Sequence, residues 1–118
     1  ALEWRFQRQV LLPHGLPVPE KQARSVVGPG DALYSHARLA VELDGVRDHT
    51  EWPKDMARDN ERLLAEATVT LRYGWQAVTL DACAVAAQLA EALGARGWPG
   101  QPRPCPQCQK AKQADLAA

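Results

Sequence analysis

The fold of this chain is decided by the stretch Arg38-Leu39-Ala40-Val41-Glu42-Leu43-Asp44-Gly45. Apolar residues alternate along it, so the side chains at 39, 41 and 43 point to one face of a β-strand, while Glu42 and Asp44 lie together on the other face. The stretch therefore predicts a strand close to the centre of a sheet, with two carboxylates whose Cα atoms are about 6 to 7 Å apart.

The segments before this strand predict a helix and a pair of strands. Apolar residues recur at helical spacing from Leu2 to Val10, which indicates an amphipathic helix that ends near Pro13. Short strand patterns follow at 22–27 and 31–34, on either side of the turn sequence Gly28-Pro29-Gly30. A hairpin is therefore expected between the first helix and the central strand.

The segments after the central strand predict a helix, a strand and a final helix. The first of these helices covers 54–67, and its inward face is expected to carry Met56, Leu63, Leu64 and Ala67. Alternation over 68–73 predicts a fourth strand, and Asp81 is placed to cap a helix that runs to about Leu93. Because a helix connects the third strand to the fourth, these two strands should be parallel. The predicted fold is an α/β domain with an αβββαβ core, in which helices flank a mixed central sheet.

The composition is that of one ordinary globular domain. Of the 118 residues, 46% are hydrophobic and 24% are charged, and these values exclude a disordered chain. The longest nearly uncharged stretch, 75–93, is interrupted by polar residues, so no membrane span is expected. No secretory signal opens the chain, which predicts a cytoplasmic location, and the missing initiator methionine suggests a piece of a longer protein.

The charges are balanced overall but segregated along the chain. The 14 Lys and Arg residues match the 14 Asp and Glu residues, so the formal net charge is zero. This balance argues against binding nucleic acid by bulk electrostatics alone. Residues 42–59 nevertheless carry six acids and three bases, whereas residues 96–112 carry four bases and no acid. The sequence thus predicts an acidic middle and a basic tail.

Four residues in the first half of the chain form a candidate metal site. Glu42 and Asp44 share a strand face, Asp31 lies on the preceding strand, and His49 follows Asp44 by five residues. Carboxylate oxygens suit Mg²⁺ or Mn²⁺, and a histidine can take a proton from a metal-bound water near neutral pH. Such a set predicts metal-assisted phosphodiester hydrolysis. The alternative is a solvated strand face followed by an exposed loop histidine.

The same region also resembles a known family. The resemblance is carried by the order Val41-Glu42-Leu43-Asp44-Gly45, His49, Arg58-Asp59-Asn60 and Val69-Thr70-Leu71-Arg72. This order is similar to that of a small bacterial nuclease-like family, the domain of unknown function 559. That family is related to the very-short-patch mismatch repair endonucleases and to the restriction-endonuclease-like PD-(D/E)XK superfamily. The resemblance covers roughly residues 2 to 98.

The resemblance implies a restriction-endonuclease-like domain and assigns roles to its residues. It gives metal binding to three acidic residues, Asp31, Glu42 and Asp44, the last of which stands where many members have a lysine. It gives the role of general base to His49, which would activate water. Glu3 on the first helix would support the metal site, and Arg72 would contact a phosphate of the substrate.

Several of these residues also have purely structural explanations. Glu3 suits the positive end of the first helix dipole. Three charged residues on the predicted helix could form surface pairs, namely Asp55, Arg58 and Asp59. The four tryptophans could stack on bases, but core or rim positions are the alternative, and Trp75 is expected to pack the final helix against the sheet. His14 and His36 have no predicted partner and are expected at the surface.

The three cysteines are unevenly placed. Cys83 lies within a helix pattern and is interpreted as a small core residue. Cys105 and Cys108 form a C-x-x-C sequence in the tail, which supplies only half of a tetrahedral zinc site. A histidine or a partner chain would have to complete it. An odd number of cysteines without a secretory signal does not predict a disulfide framework.

The prediction from sequence is therefore a metal-dependent DNA endonuclease. Residues 1–98 would form the nuclease domain, and residues 99–118 a flexible tail rich in Pro and Lys. The alternative is a non-catalytic nucleic-acid-binding or regulatory domain of a larger, toxin–antitoxin-like protein with an N-terminal DNA-binding module. A third class is an interaction domain that uses the basic tail. DNA is the expected partner in the first two cases.

Overall fold

The chain folds as a mixed α/β domain, seen in a computed structural model that describes residues 2–21, 24–25, 28–29, 32–44, 52–108 and 110. The first helix consists of α1 (Leu2–Arg5) and a π-helical continuation, Phe6–Leu11. The strands are β1 (Glu20–Lys21), β2 (Arg24–Ser25), β3 (Gly28–Pro29), β4 (Ala32–Tyr34), β5 (Leu39–Asp44) and β6 (Val69–Gly74). The other helices are α2 (Trp52–Glu66), α3 (Trp75–Leu80) and α4 (Ala82–Ala95).

The main sheet has the strand order β1-β4-β5-β6. β4 runs antiparallel to both β1 and β5, whereas β5 and β6 are parallel. The predicted crossover through a helix is therefore confirmed, and so is a mixed sheet flanked by helices. The finer expectation, a restriction-endonuclease-like core, stays a prediction.

The predicted hairpin differs in register from the observed strands. β1 pairs with β4 through Glu20 opposite Leu33 and Lys21 opposite Ala32. The Gly28-Pro29 pair, predicted as a turn, instead forms β3 and pairs with β2 in a separate two-stranded ladder. Gly and Pro are compatible with such an edge position because a two-residue strand at a sheet edge needs few ladder hydrogen bonds.

The hydrophobic core lies between the sheet and the layer formed by the first helix and α4. Val10, Leu39, Val41, Val78 and Leu89 have no measurable exposure. β5 is buried along nearly its whole length, including the alternate face that carries Glu42. The polar face of this strand is therefore covered by other residues rather than solvated.

The orientation of α2 corrects the sequence prediction. Met56, Leu63 and Leu64 were expected to face inward, but they are 60%, 52% and 86% exposed, and Ala67 is exposed as well. Among residues 53–66 of α2, the buried side chains are those of Asp55 and Arg62. The helix directs its charged side at the sheet because the sheet face beneath it carries charged residues that need partners.

The segment after β6 also differs in part from the prediction. α3 begins at Trp75, which was expected to pack the final helix against the sheet but is 42% exposed, with the Arg5 guanidinium 5.4 Å from its ring centroid. The predicted final helix is confirmed as α4. Asp81 occupies its N-cap position, although its side chain makes no capping hydrogen bond.

None of the helices in the described part of the chain combines the length and the apolar character that crossing a membrane requires.

Candidate metal centre

His14 lies just beyond the first helix, where the chain reverses direction. Gly15 has a φ of +67°, a left-handed conformation that favours glycine. The N–H of Leu16 then donates to the carbonyl of Leu11 at 3.0 Å. His14 was expected at the surface, yet it is only 2% exposed, since this turn holds it beneath the end of the helix.

The His14 ring is oriented by the helix that precedes it. Its Nδ1 atom lies 2.7 Å from the carbonyl oxygen of Val10. A carbonyl can only accept, so Nδ1 carries the proton and Nε2 keeps a free lone pair. A hydrogen bond of this kind is the usual way in which proteins orient a metal-binding histidine.

The C-x-x-C sequence lies against the same turn. The N–H of Arg103 donates to the carbonyl of His14 at 2.9 Å, and the Arg103 guanidinium donates to the carbonyl of Leu12 at 3.3 Å. Cys105 is buried and Cys108 is half-buried. These bonds bring a segment from the second half of the chain to the end of the first helix.

Cys83 completes the group from a third direction. It is the second residue of α4 and is half-buried. Its Sγ lies 3.4 Å from the Sγ of Cys105, which in turn lies 3.6 Å from the Sγ of Cys108. The Sγ of Cys108 is 3.4 Å from the Nε2 of His14. We call these four residues the Cys₃His centre.

The spacing of the Cys₃His centre fits a tetrahedral ion. Its four potential ligand atoms all lie within 4.8 Å of one another. Zinc–sulfur bonds of about 2.3 Å place two sulfurs of a tetrahedron roughly 3.8 Å apart, and the sulfur–nitrogen separation is slightly shorter. The three separations given above are within a few tenths of an ångström of these values, and the others do not exceed 4.8 Å, so shifts of about an ångström or less would admit zinc.

Two neighbouring thiols of the centre, Cys105 and Cys83, differ in acidity. Burial alone would raise the pKa of Cys105, but the backbone N–H groups of Cys108 and Gln107 and the neighbouring thiols outweigh it, and the pKa falls to about 6. Burial, followed by hydrogen bonding to Cys108 and Cys105, raises the pKa of Cys83 to about 12. A thiolate at Cys105 is the state that binds a metal ion.

The ligands of the Cys₃His centre suit a different metal from the one predicted from the sequence. Mg²⁺ or Mn²⁺ on carboxylates was expected, and that prediction is wrong. The group of side chains arranged to hold an ion in the described part of the chain consists of thiols and an imidazole, ligands that select zinc over hard cations. The predicted half-site at Cys105 and Cys108 is completed by His14 and Cys83, within the same chain.

Two of the three predicted metal-binding carboxylates, Glu42 and Asp44, have arginine partners. Glu42 is buried and accepts a hydrogen bond from the buried Arg62 of α2. Asp44 accepts two hydrogen bonds of 3.1 Å from one nitrogen of Arg72. The same guanidinium donates to both carboxylate oxygens of Asp59, at 2.8 and 2.9 Å.

These five residues, Glu42, Asp44, Asp59, Arg62 and Arg72, form what we call the arginine–carboxylate cluster. The strand register places Glu42 opposite Arg72 on the parallel neighbour, and α2 covers both. Hydrogen bonds that Arg72 donates to Asp59 and to Asp44 hold the pKa of Arg72 above its usual value, although partial burial by itself would lower it. The predicted phosphate-binding arginine is thus engaged with carboxylates of its own chain.

Glu3, Asp31 and His49 were also predicted as site residues. Glu3 is exposed on the first helix. Asp31 and His49 lie outside the residues that the structure describes. Asp55, Arg58 and Asp59 were interpreted as surface pairs, but Asp55 is buried and Asp59 holds Arg72. His36 is exposed, as expected.

The sequence contained one usable signal for the Cys₃His centre, the C-x-x-C pair itself. The other two ligands carry no local mark, because His14 stands in a Pro- and Gly-rich turn and Cys83 follows an alanine at the start of a helix.

Comparisons with protein-family models, with curated proteins and with solved structures found no match to this chain. The family resemblance and the endonuclease activity that it implies therefore stay predictions.

Proposed function

We propose that this chain is a zinc-binding domain, in which the Cys₃His centre holds one Zn²⁺. The observation that carries the proposal is the convergence of three sulfurs and one imidazole nitrogen within 4.8 Å. These residues come from three separate parts of the fold, and a chance meeting of four zinc-type ligands in a chain with three cysteines and three histidines is improbable.

The zinc is proposed to be structural rather than catalytic. Catalytic zinc sites use three protein ligands and leave a fourth position for water, whereas structural sites use four. Here the protein supplies four ligands. The ion would neutralise thiolates that are otherwise costly to bury and would join the first helix, α4 and the C-x-x-C segment.

Cobalt substitution and metal analysis test this proposal. Purified protein is expected to contain one zinc per chain, and Co²⁺ should give the visible absorption of a tetrahedral thiolate site. His14→Ala should weaken zinc binding by one to several orders of magnitude, since it leaves three ligands. His36→Ala is the matched control, because this exposed histidine should not affect the metal. Equal binding in both variants, or none in the parent protein, would contradict the proposal.

Binding of nucleic acid without hydrolysis is a second candidate function. Two observations support it. Glu42 and Asp44, two of the three carboxylates predicted to hold a catalytic metal, are bonded to arginines. In addition, the first helix presents an exposed aromatic and cationic surface, with the Arg8 guanidinium 5.2 Å from the ring of Trp4. Such pairs suit single strands, whose bases stack on aromatic rings while cations contact phosphates.

Fluorescence anisotropy with a labelled single-stranded oligonucleotide tests the second candidate. Trp4→Ala and Arg8→Ala should each weaken binding, whereas Arg38→Ala, an exposed arginine in the turn before β5, should not. Affinity that is unchanged by all three substitutions would exclude this surface. Cleavage of the probe that is lost in Asp44→Ala would instead support the endonuclease predicted from the resemblance.

A further inference from the structure

The four ligands of the Cys₃His centre differ in their access to solvent. A surface cavity of about 970 Å³ lies beside the centre, and its wall includes Cys83 and Cys105. Cys108 and His14 are not part of that wall. A small molecule that enters the cavity therefore meets two of the three cysteines.

The two cysteines on the cavity wall are also a close pair. Their Sγ atoms are 3.4 Å apart, compared with 3.6 Å between Cys105 and Cys108. A disulfide bond is about 2.05 Å long, so a shift of little more than an ångström would join them. Access to the cavity therefore favours Cys83 with Cys105, and their short separation is compatible with a bond between them.

The cavity also offers a hydrogen-bond acceptor to a small polar molecule. The side-chain oxygen of Gln9, which lies in the same wall, is buried and has no hydrogen-bond partner. An acceptor without a partner favours a ligand that brings an O–H donor. Hydrogen peroxide is such a donor and is small enough to reach the sulfurs.

We propose that the zinc-loaded Cys₃His centre is a peroxide-sensitive site, in which Cys83 and Cys105 are oxidised to a disulfide and the zinc is released. The inference rests on the proposed zinc function and adds a reactant and a regulated outcome to the same residues.

The reaction balances with one peroxide per chain. One wall thiolate attacks a peroxide oxygen, the O–O bond breaks, and the departing hydroxide takes a proton to give water and a sulfenic acid. The second thiolate then attacks that sulfur, the S–S bond forms and the S–O bond breaks, and a second proton gives a second water. The two sulfurs supply two electrons to the peroxide. Zn²⁺ leaves because the disulfide no longer offers thiolate ligands.

Loss of the metal would leave the C-x-x-C segment joined to α4 but no longer held to the first helix by zinc. Arg103 would still connect this segment to the turn after the first helix, because it donates hydrogen bonds to the carbonyls of His14 and Leu12. Oxidation would therefore loosen the His14 side of the centre and leave the Cys83 side covalently tied.

Zinc release and peptide mapping test the inference on the zinc-loaded chain. Hydrogen peroxide should release one zinc per chain to a chromogenic chelator, and a thiol reductant should restore binding. Trypsin places Cys83 in the peptide 73–96 and both other cysteines in the peptide 97–110, because Pro104 blocks cleavage after Arg103. A cross-link between these two peptides is expected, and fragmentation of the linked peptides should place it at Cys105. An internal disulfide within 97–110 would overturn the proposal.

A pair of helix variants separates access from metal affinity. Ala84 is exposed and lines the cavity, so Ala84→Phe should slow peroxide-driven zinc release several-fold without removing a ligand. Ala87, exposed on the same helix but outside the cavity wall, is the matched control, and Ala87→Phe should react as the parent does. Equal rates in both variants would overturn the cavity route.

The outcomes distinguish the two proposals. If the parent protein never binds zinc, the proposed zinc function fails. If zinc binds but peroxide neither releases it nor links the two peptides, only the peroxide inference fails.

Discussion

Two polar groups inside this small domain balance their charge in opposite ways. The arginine–carboxylate cluster between α2 and the sheet contains its own cations, because each predicted carboxylate of β5 has a guanidinium partner. The Cys₃His centre consists of three thiols, which become anionic when they ionise, and one imidazole. One group is complete within the chain, whereas the other would gain stability from a cation that is added from outside.

The comparison shows why acidic residues alone are a poor guide to a metal site. Glu42 and Asp44 share a strand face, as the alternation of the sequence predicts, but the neighbouring strand and helix supply arginines to that face. Local pattern fixes which residues meet on one strand. It does not fix which charges arrive from other elements, and these decide whether an ion is needed.

Removal of zinc should produce the largest effect on stability. If free zinc stands about a thousandfold above its Kd, binding stabilises the fold by about 4 kcal/mol, and a chelator abolishes that amount. The check is thermal unfolding of the parent protein with and without chelator. His14→Ala should lose most of this response. A melting temperature of the parent protein that does not respond to the chelator would show that zinc does not stabilise the fold.

Loss of one partner in the buried pair of the arginine–carboxylate cluster should be nearly as costly. Arg62→Ala leaves Glu42 buried without the guanidinium of Arg62, and removal of one member of a buried ion pair costs about 3 to 5 kcal/mol. Denaturant unfolding measures the loss.

The double variant Glu42→Leu with Arg62→Leu is the control for that experiment. Replacement of a buried ion pair by apolar residues of similar size is often neutral or stabilising, so stability should return close to that of the parent. A double variant as unstable as Arg62→Ala would mean that the pair has a further role.

A smaller effect is expected at the partly exposed pair of the same cluster, Arg72 and Asp59. Arg72→Lys keeps the charge but loses the paired bonds to both oxygens of Asp59, and the expected cost is about 1 kcal/mol. The loss should shrink with added salt, because these side chains are roughly a quarter exposed. A loss that is insensitive to salt would contradict this account. The zinc content should not change.

In the metal-free Cys₃His centre, the thiols of Cys105 and Cys83 should differ in reactivity. This difference can be detected without any change in the stability of the fold. Cys105, with its pKa lowered to about 6, is ionised at neutral pH, whereas Cys83, with its pKa raised to about 12, stays protonated. Iodoacetamide at pH 7 should therefore label Cys105 before Cys83, and its rate at Cys105 should fall as the pH drops below about 6. Mass spectrometry of the labelled peptides gives the order, and preferential labelling of Cys83 would refute it.

The sequence predicted the elements better than it predicted their faces. The alternation in β5 and the helical repeat in the first helix are local and survive in the structure. The orientation of α2 was not predictable from its apolar residues, because the charged face of the sheet attracts Asp59 and Arg62 and turns Met56 and Leu64 outward. Periodicity indicates that a helix is amphipathic, but it does not indicate which face of the helix packs against the sheet.

The Cys₃His centre was only half predictable for a related reason. Cys105 and Cys108 are three residues apart, so their partnership is visible as a motif. His14 is separated from Cys108 by 94 positions in the chain, and no local pattern connects them. Glu3, Asp31 and His49 were predicted from acidic and basic chemistry together with the family resemblance. Of these, only Glu3 lies among the described residues, where it is exposed.

That separation of 94 positions also sets the order in which the molecule can assemble. Contacts between residues so distant in the chain form late in folding, since a large loop must close before they are gained. The complete set of ligands therefore exists only after the sheet and helices have formed. Zinc would then bind only the folded chain, so it would slow unfolding and leave the rate of folding largely unchanged.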